Sequence, residues 1–273
     1  MHSKEGELSS SPSFFVGLQS LFTVIYSIQG DFSMTMELNK DGRRIRTMFS
    51  GIAPWYDFLN HFLSLNIDRH WRDRMTKLVP PQGNDPILDV CTGTGDLAIA
   101  YHHAAGGKIK VMGSDFCLPM LEGASKKNSR KGLDIFFLEA DTLNLPFPKN
   151  RFQLTTVAFG IRNVSDTDAG ISEMIRVTKP GGRVAILEFS RPRGWLLGNL
   201  YLFYFQRILP LLGQFFSKSK DDAYHYLRNS VLQFPDGEQF AQKMRDLGLQ
   251  QVSWRPFTFG IATCYWGTKS AST

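Results

Sequence analysis

The sequence predicts an α/β fold built on a doubly wound, mostly parallel sheet of seven strands. Three observations lead there. Short apolar runs alternate with helical stretches from about residue 86, a glycine-rich turn follows the first run, and two further runs able to pair as a hairpin close the chain. With 273 residues and 42% hydrophobic content the chain can fill one core of this kind.

In chain order, residues 1–33 read as a tail outside the core. Segment 14–28 is apolar for most of its length but falls short of the roughly 20 residues a membrane span requires. Lys4 is flanked by Glu5 and Glu7, which does not make the basic start of a secretory leader. Met34 and Met36 lie just before the first motif-bearing stretch, which allows a start assigned too early. Residues 34–80 form a second unit, a helical cap. Its stretch 43–79 mixes aromatic and charged residues at helical spacing and breaks at Pro54, giving two or three helices that lean over the mouth of the sheet.

Residues 81–273 then supply the sheet. Strands are expected at 87–91, 110–114, 135–139, 154–159 and 183–189, each rich in Val, Ile, Leu or Phe, as strands buried on both faces should be. Helices are expected at 97–105, 118–131 and 167–178, the last closed by Lys179-Pro180-Gly181-Gly182 as a stop signal. Residues 195–216 are apolar almost throughout, and 195–230 are read as a helical cover after the fifth strand. Arg207 and Pro210 argue against a single membrane span there. A helix at 236–247 ends at Gly248, and runs 250–256 and 259–267 form the terminal hairpin.

The formal charge is +6, but the basic residues are spread along the chain, so nucleic acid is not expected. Mild attraction to an anionic membrane surface is compatible with the same balance. The three cysteines, Cys91, Cys117 and Cys264, contain no CxxC pair. Neither a disulfide framework nor a metal site is indicated, and a reducing cytoplasmic compartment is the expectation.

The chemistry concentrates in Ile87-Leu88-Asp89-Val90-Cys91-Thr92-Gly93-Thr94-Gly95-Asp96-Leu97, a buried strand, a glycine turn and a helix start. Gly93 and Gly95 allow the backbone to turn sharply and a ligand to come close. Taken alone, Gly93-x-Gly95-x-x-Ala98 also satisfies a dinucleotide fingerprint. Asp89 tilts the reading, because a carboxylate before the turn would hold a methionyl ammonium and repel a pyrophosphate. Asp115 closes the second strand, where it can accept both ribose hydroxyls. Asp141 and Thr142 follow the third strand, and Asp141 can bond an adenine amino group. Together these acids at strand ends point to S-adenosylmethionine in a Rossmann-like sheet. A nicotinamide-dependent oxidoreductase remains the rival that the fingerprint allows, and a non-catalytic cofactor-binding module the more distant one.

The segment Met48-Phe49-Ser50-Gly51-Ile52-Ala53-Pro54-Trp55-Tyr56-Asp57, with Asn60, Ser64 and Trp71 after it, resembles the N-terminal signature of the quinone C-methyltransferases of menaquinone and ubiquinone biosynthesis. Leu145-Pro146-Phe147 with Phe159-Gly160-Ile161-Arg162-Asn163-Val164 resembles the central signature of that family. Arg176-Val177-Thr178-Lys179-Pro180-Gly181-Gly182 through Glu188-Phe189-Ser190 resembles the third. The resemblance runs from about Arg43 to Lys269. Three positions depart from it: Asp68 stands where many members have His, Ala158 where some have Ser, and Thr178 where Leu is common.

The resemblance implies a class I methyltransferase fold, with cofactor contacts at Thr94, Asp115, Asp141 and Thr142. It implies C-methylation of a prenylated quinol, with demethylmenaquinol favoured and the ubiquinone precursor as the alternative. Arg162 and Asn163 are then expected to bind the quinol oxygens, Arg162 stabilising a developing phenolate unless it pairs with Asp166 or Asp168. Tyr56 and Asp57 are candidate bases, with His225 and Tyr226 behind them. The prenyl tail would lie against residues 195–216, which makes peripheral contact with the inner face of a membrane compatible with the reading, as is a homodimer.

Overall fold

The structure is a computed structural model and describes residues 41–53, 56–57, 61, 64, 66–192, 226 and 229–271. The tail 1–33, Met34 and Met36, Pro54, His225 and nearly all of the cover 195–230 lie outside the described residues. Two helices precede the sheet, α1 (Gly42–Ile52) and α2 (Ile67–Leu78). The sheet units follow as β1 (Ile87–Val90), α3 (Asp96–Ala104), β2 (Val111–Asp115), α4 (Leu118–Arg130), β3 (Ile135–Glu139), β4 (Phe152–Ala158), α5 (Thr167–Val177), β5 (Thr178–Phe189), α6 (Glu238–Asp246), β6 (Leu249–Phe257) and β7 (Ala262–Lys269).

The seven strands lie in the order β3-β2-β1-β4-β5-β7-β6. The pairs β1–β2, β1–β4, β2–β3 and β4–β5 are parallel, and β7 runs antiparallel between β5 and β6. Successive residues of β5 alternate between two cores. Ala185 and Leu187 join Trp71, Met75, Leu97 and Tyr101 on one face, while Val184 and Ile186 join Ile171, Met174, Phe240 and Met244 on the other. That two-faced burial explains why these strands read as continuous apolar runs. It also places α2 and α3 on one face and α5 and α6 on the other.

One expectation is corrected. Lys179-Pro180-Gly181-Gly182 was expected to end a helix outside the sheet, but the helix stops at Val177 and this segment already belongs to β5. Between Phe152↔Thr178 and Leu154↔Arg183 the register shifts, so these residues form a bulge against β4. Glycine is needed there because a Cβ on Gly182 would stand 2.8 Å from the Gln153 carbonyl oxygen. The first strand is also one residue shorter than expected. Cys91 leaves it at φ 47°, beginning the turn.

Sheet order reverses between β1 and β4, where the chain first runs outward through β2 and β3 and then returns to β4. In a doubly wound sheet the crevice outside the carboxyl ends at this reversal is where ligands bind. Helix α1 reaches the same end. It is capped by Asp41, whose carboxylate accepts from the Arg43 and Arg44 amides, and Arg46 pairs with Glu139 at the end of β3 at 3.1 Å.

Candidate active site

The carboxyl ends of β1, β2, β3 and β4, with α1 above them, border a cleft of about 720 Å³ counting its solvent-open part. Pockets for small organic ligands run to roughly 300–1,000 Å³. Gly93, Asp115, Asp141 and Thr142 line one side. Tyr56, Asn163, Phe49 and Phe159 line the other.

Asp115 is the anchor of the first side. Its Oδ2 accepts from the Gly93 amide at 2.8 Å and its Oδ1 from the Cys117 amide at 2.9 Å. One carboxylate thus joins the glycine turn to the start of α4. A carboxylate has about four acceptor positions, so both oxygens can still accept hydroxyls from the cleft. Burial pushes this carboxyl up to about 6, against the opposing pull of the Cys117 and Gly93 amides. Thr142 is buried, with its hydroxyl 3.2 Å from the Cys91 sulfur, and Asp141 is exposed at the cleft, accepting from the Leu143 amide.

Asp89 does not reach the cleft. It is 1% exposed, accepting from the Thr92 hydroxyl at 2.5 Å and the Thr156 hydroxyl at 3.1 Å. Burial raises it to about 7. Its place is beneath the turn: strand alternation puts its side chain on the sheet face shared with Ile87, against Thr156 of β4, and not at the cleft border where an ammonium was expected. Gly95 is likewise not a cleft residue. It sits at φ 83°, and a Cβ there would stand 2.9 Å from the Phe137 ring, so the turn packs against β3 at this point. Gly93 at φ 56° borders the cleft, where a Cβ would come 3.8 Å from the Tyr56 ring.

Thr94 and Asp57 also turn away from the cleft. The Thr94 hydroxyl donates to Asp57, and Lys127 pairs with Asp57 at 2.7 Å. Both Asp57 oxygens are thus engaged, by the turn and by α4, and the structure shows Asp57 as a structural partner of the turn in place of the base expected from the sequence.

Arg162 sits in the short 3-10 segment Ile161–Asn163 that follows β4. It is 5% exposed, and its Nη1 donates to Glu188 at 2.5 Å and to the Phe159 carbonyl at 2.6 Å. The guanidinium also lies 5.2 Å from the centre of the Phe189 ring. The expected partners Asp166 and Asp168 are engaged elsewhere, Asp166 capping α5 and Asp168 pairing with Lys243. Sequence reasoning missed Glu188. Its signal was a lone carboxylate within the apolar run of β5, which a buried strand tolerates only with a cation beside it. Burial raises the Glu188 carboxyl despite Arg162.

Three polar atoms near this corner are buried without a hydrogen-bond partner among the described residues: Arg162 Nε, Asn163 Oδ1 and Tyr226 Oη. Burial pushes the Tyr226 phenol up to about 12, with Arg162 the first of the groups opposing the rise. At neutral pH it is therefore a donor and not a base. The departures noted in the sequence sit quietly. Ala158 lines the cleft, and Thr178 bonds Thr155 at 2.7 Å and the Met174 carbonyl at 2.7 Å. Asp68 is the hub of a buried network, considered below.

Comparison with known proteins agrees with this geometry. Residues 36–269 match the model of the ubiE/COQ5 methyltransferase family. The chain is 44% identical over 246 residues to the ubiquinone/menaquinone biosynthesis C-methyltransferase UbiE of Geobacter sulfurreducens, covering 88% of this chain and 94% of that protein. It is 43% identical over 228 residues to the demethylmenaquinone methyltransferase of Deinococcus radiodurans, covering 84% and 93%. Among solved structures it resembles a SAM-dependent methyltransferase of Thermotoga maritima, described as a possible histamine N-methyltransferase. The TM-score is 0.58 at 19% identity over 82% of this chain and all of that one, a likeness of fold. With a family match spanning the leading helices, the glycine turn and all seven strands, the chain belongs to the ubiE/COQ5 methyltransferase family.

Proposed function

We propose that this protein moves the methyl group of S-adenosylmethionine to a ring carbon of a prenylated quinol, with demethylmenaquinol as acceptor and menaquinol as product. The observation that carries the reading is the family match over residues 36–269 joined to a cleft at the sheet reversal that offers a buried carboxylate beside a glycine turn. A nucleoside fits that donor set, because Asp115 keeps acceptor capacity facing the cleft and Gly93 leaves room for close approach. S-adenosylmethionine supplies an electrophilic methyl on sulfonium.

The residues of the chain do the rest. Asp115 accepts from the ribose hydroxyls, Asp141 and Thr142 border the adenine, and Gly93 gives backbone access to the methionyl end. Across the cleft Asn163 borders the ring oxygens with Arg162 buried behind it, and Tyr56 closes the space above Gly93. A ring hydroxyl that ionises raises electron density on the carbon to be methylated, so a cation and hydrogen-bond donors beside that oxygen favour reaction. Arg162 serves here through its unpartnered Nε and its field, since Nη1 is committed to Glu188. Tyr226, kept protonated by burial, donates to the same oxygen. With cofactor and quinol both bound, the carbon–sulfur bond would break as the carbon–carbon bond forms, the ring carbon would lose its hydrogen as a proton to solvent, and the ring oxygen would regain the proton it gave up. Helices α1 and α2 contribute the acceptor cap, and the apolar stretch 195–216 takes the prenyl tail at the surface of a membrane.

Incubation of the purified protein with S-adenosylmethionine and reduced demethylmenaquinone is expected to give menaquinone one methylene heavier by mass spectrometry, together with S-adenosylhomocysteine. Methylation of the ubiquinone precursor in preference would move the acceptor assignment. Tight binding of NAD without binding of S-adenosylhomocysteine would overturn the reading altogether.

A further inference from the structure

Between the leading helices and the glycine turn lies a cluster of charged side chains that the proposed reaction leaves unused. Lys127 of α4 stands at its centre. The ammonium is 2.7 Å from Asp57 Oδ2 and 2.6 Å from Asp96 Oδ1, and it donates to the Thr94 hydroxyl at 3.3 Å. Its three protons therefore meet three acceptors from three segments: Asp57 before the sheet, Thr94 in the turn, and Asp96 at the first position of α3. The Thr94 hydroxyl donates in turn to Asp57. The Lys127 side chain is 19% exposed, so these contacts are only partly screened by water.

The cluster continues inward. Asp96 faces His61 Nε2 at 3.6 Å and Arg72 Nη1 at 4.0 Å. Asp68, 3% exposed, binds Arg72 at 2.5 Å, His61 Nδ1 at 2.9 Å and the Ser64 hydroxyl at 2.7 Å. Asp57, His61 and Asp96 place ligand atoms within 4.8 Å of one another, as a metal site would. The Lys127 ammonium already bridges the two carboxylates, a resident cation.

We infer that Lys127 is a positioning residue that ties the segment carrying Tyr56 and Asp57 to the cofactor turn, so that the cap and the cofactor site form together. Adjacent residues carry the argument. Asp57 is held by Lys127 and Thr94, and the preceding Tyr56 borders the cleft where a Cβ on Gly93 would come 3.8 Å from its ring. Without the ammonium, the Asp57 and Asp96 carboxylates would face each other across Thr94 and repel. The turn and the segment would then separate at the cofactor's methionyl end.

This inference rests on the proposed cofactor. Its test compares Lys127→Met, Lys127→Arg, Asp57→Asn and the Lys127→Met/Asp57→Asn pair in the full chain. Coupling between sites typically amounts to about 5- to 150-fold in affinity. Lys127→Met is therefore expected to weaken S-adenosylhomocysteine binding, measured by calorimetry, by about tenfold, with Lys127→Arg restoring most of it. The double variant, in which Asp57 no longer repels Asp96, should bind no more weakly than Lys127→Met alone. The acceptor KM should rise with the cofactor Kd while kcat changes less than threefold. Independent, multiplying effects of Lys127→Met and Asp57→Asn, or unchanged affinity in a variant with the wild-type urea midpoint, would overturn the inference. Should the wild-type protein fail to bind S-adenosylhomocysteine, the cofactor reading falls. The tie is then read by amide hydrogen exchange over residues 42–57, where faster exchange in Lys127→Met supports it and unchanged exchange rejects it.

Discussion

On the Gly93 side of the cleft the walls come from residues close in sequence to the strand ends that carry them. The corner Ile161–Asn163 depends instead on Glu188, 26 residues further along. Asp115 grips the Gly93 and Cys117 amides, so the Gly93 side is fixed by one carboxylate that bonds two backbone amides once β1, β2 and α4 have folded. The Arg162 side is fixed by one buried ion pair, Arg162 with Glu188, and by aromatic rings around it. A site held by a buried pair is sensitive to either partner, because the survivor is left charged without water.

Breaking that pair should give the largest effect. Among the described residues, Glu188→Ala leaves the Arg162 guanidinium, 5% exposed, with the Phe159 carbonyl and the Phe189 ring as its remaining contacts. The loss expected in urea unfolding is about 3–5 kcal/mol. Glu188→Gln retains an acceptor for Nη1 and should lose markedly less stability, while methyl transfer falls because the corner is no longer held by opposite charges. Equal losses for the two variants would mean that packing, not charge, fixes Arg162.

The same contrast governs what the sequence disclosed. Residues 135–139 match β3 at both ends, and the glycine turn with Asp115 is legible because periodicity, a Gly-x-Gly pair and an acid at a strand end are local signals. The pairing of Arg162 was misassigned to Asp166 and Asp168 because sequence neighbours were the only partners visible, whereas the parallel β4–β5 register carries Glu188 to that corner. Asp89 was read as a strand residue that borders the ligand, whereas it lies beneath the cleft, since four fully buried residues in a row hide which face each one takes. Lys179-Pro180-Gly181-Gly182 misled for a similar reason: a stop signal and a bulge use the same residues, and only the Gln153 carbonyl opposite Gly182 distinguishes them. Asp57 looked catalytic because its partner Lys127 lies 70 residues away.

On the Gly93 side the sharper probe is pH. The Asp115 carboxyl is raised by burial to about 6 in the free protein, and only its ionised form keeps full acceptor capacity for ribose hydroxyls. Ligand binding then favours loss of the proton, so affinity is level above about pH 7 and falls as pH drops through 6. The fall should approach tenfold per pH unit, the equivalent of roughly 1.4 kcal/mol. Calorimetric titration of S-adenosylhomocysteine between pH 5 and pH 8 checks this, with Asp115→Asn expected to bind weakly and without the pH dependence. A dependence that persists in Asp115→Asn would assign the titration to another group, and the two sides of the cleft would no longer differ in this respect.

The smallest effect belongs to Asn163, where the two halves meet. Its Oδ1 is buried with no partner among the described residues, and an unsatisfied buried acceptor already detracts from stability. Removing it therefore takes away a cost along with a side chain. Asn163→Ala is expected to shift stability by less than about 0.5 kcal/mol, even though Arg162 next to it sustains a buried ion pair. The loss should appear in the acceptor instead. A hydrogen bond of about 1 kcal/mol made only to the quinol raises its KM several-fold and leaves S-adenosylhomocysteine affinity unchanged. If cofactor affinity falls in step with the acceptor, Asn163 belongs to the Gly93 side, and the division of the cleft must be drawn on the far side of β4.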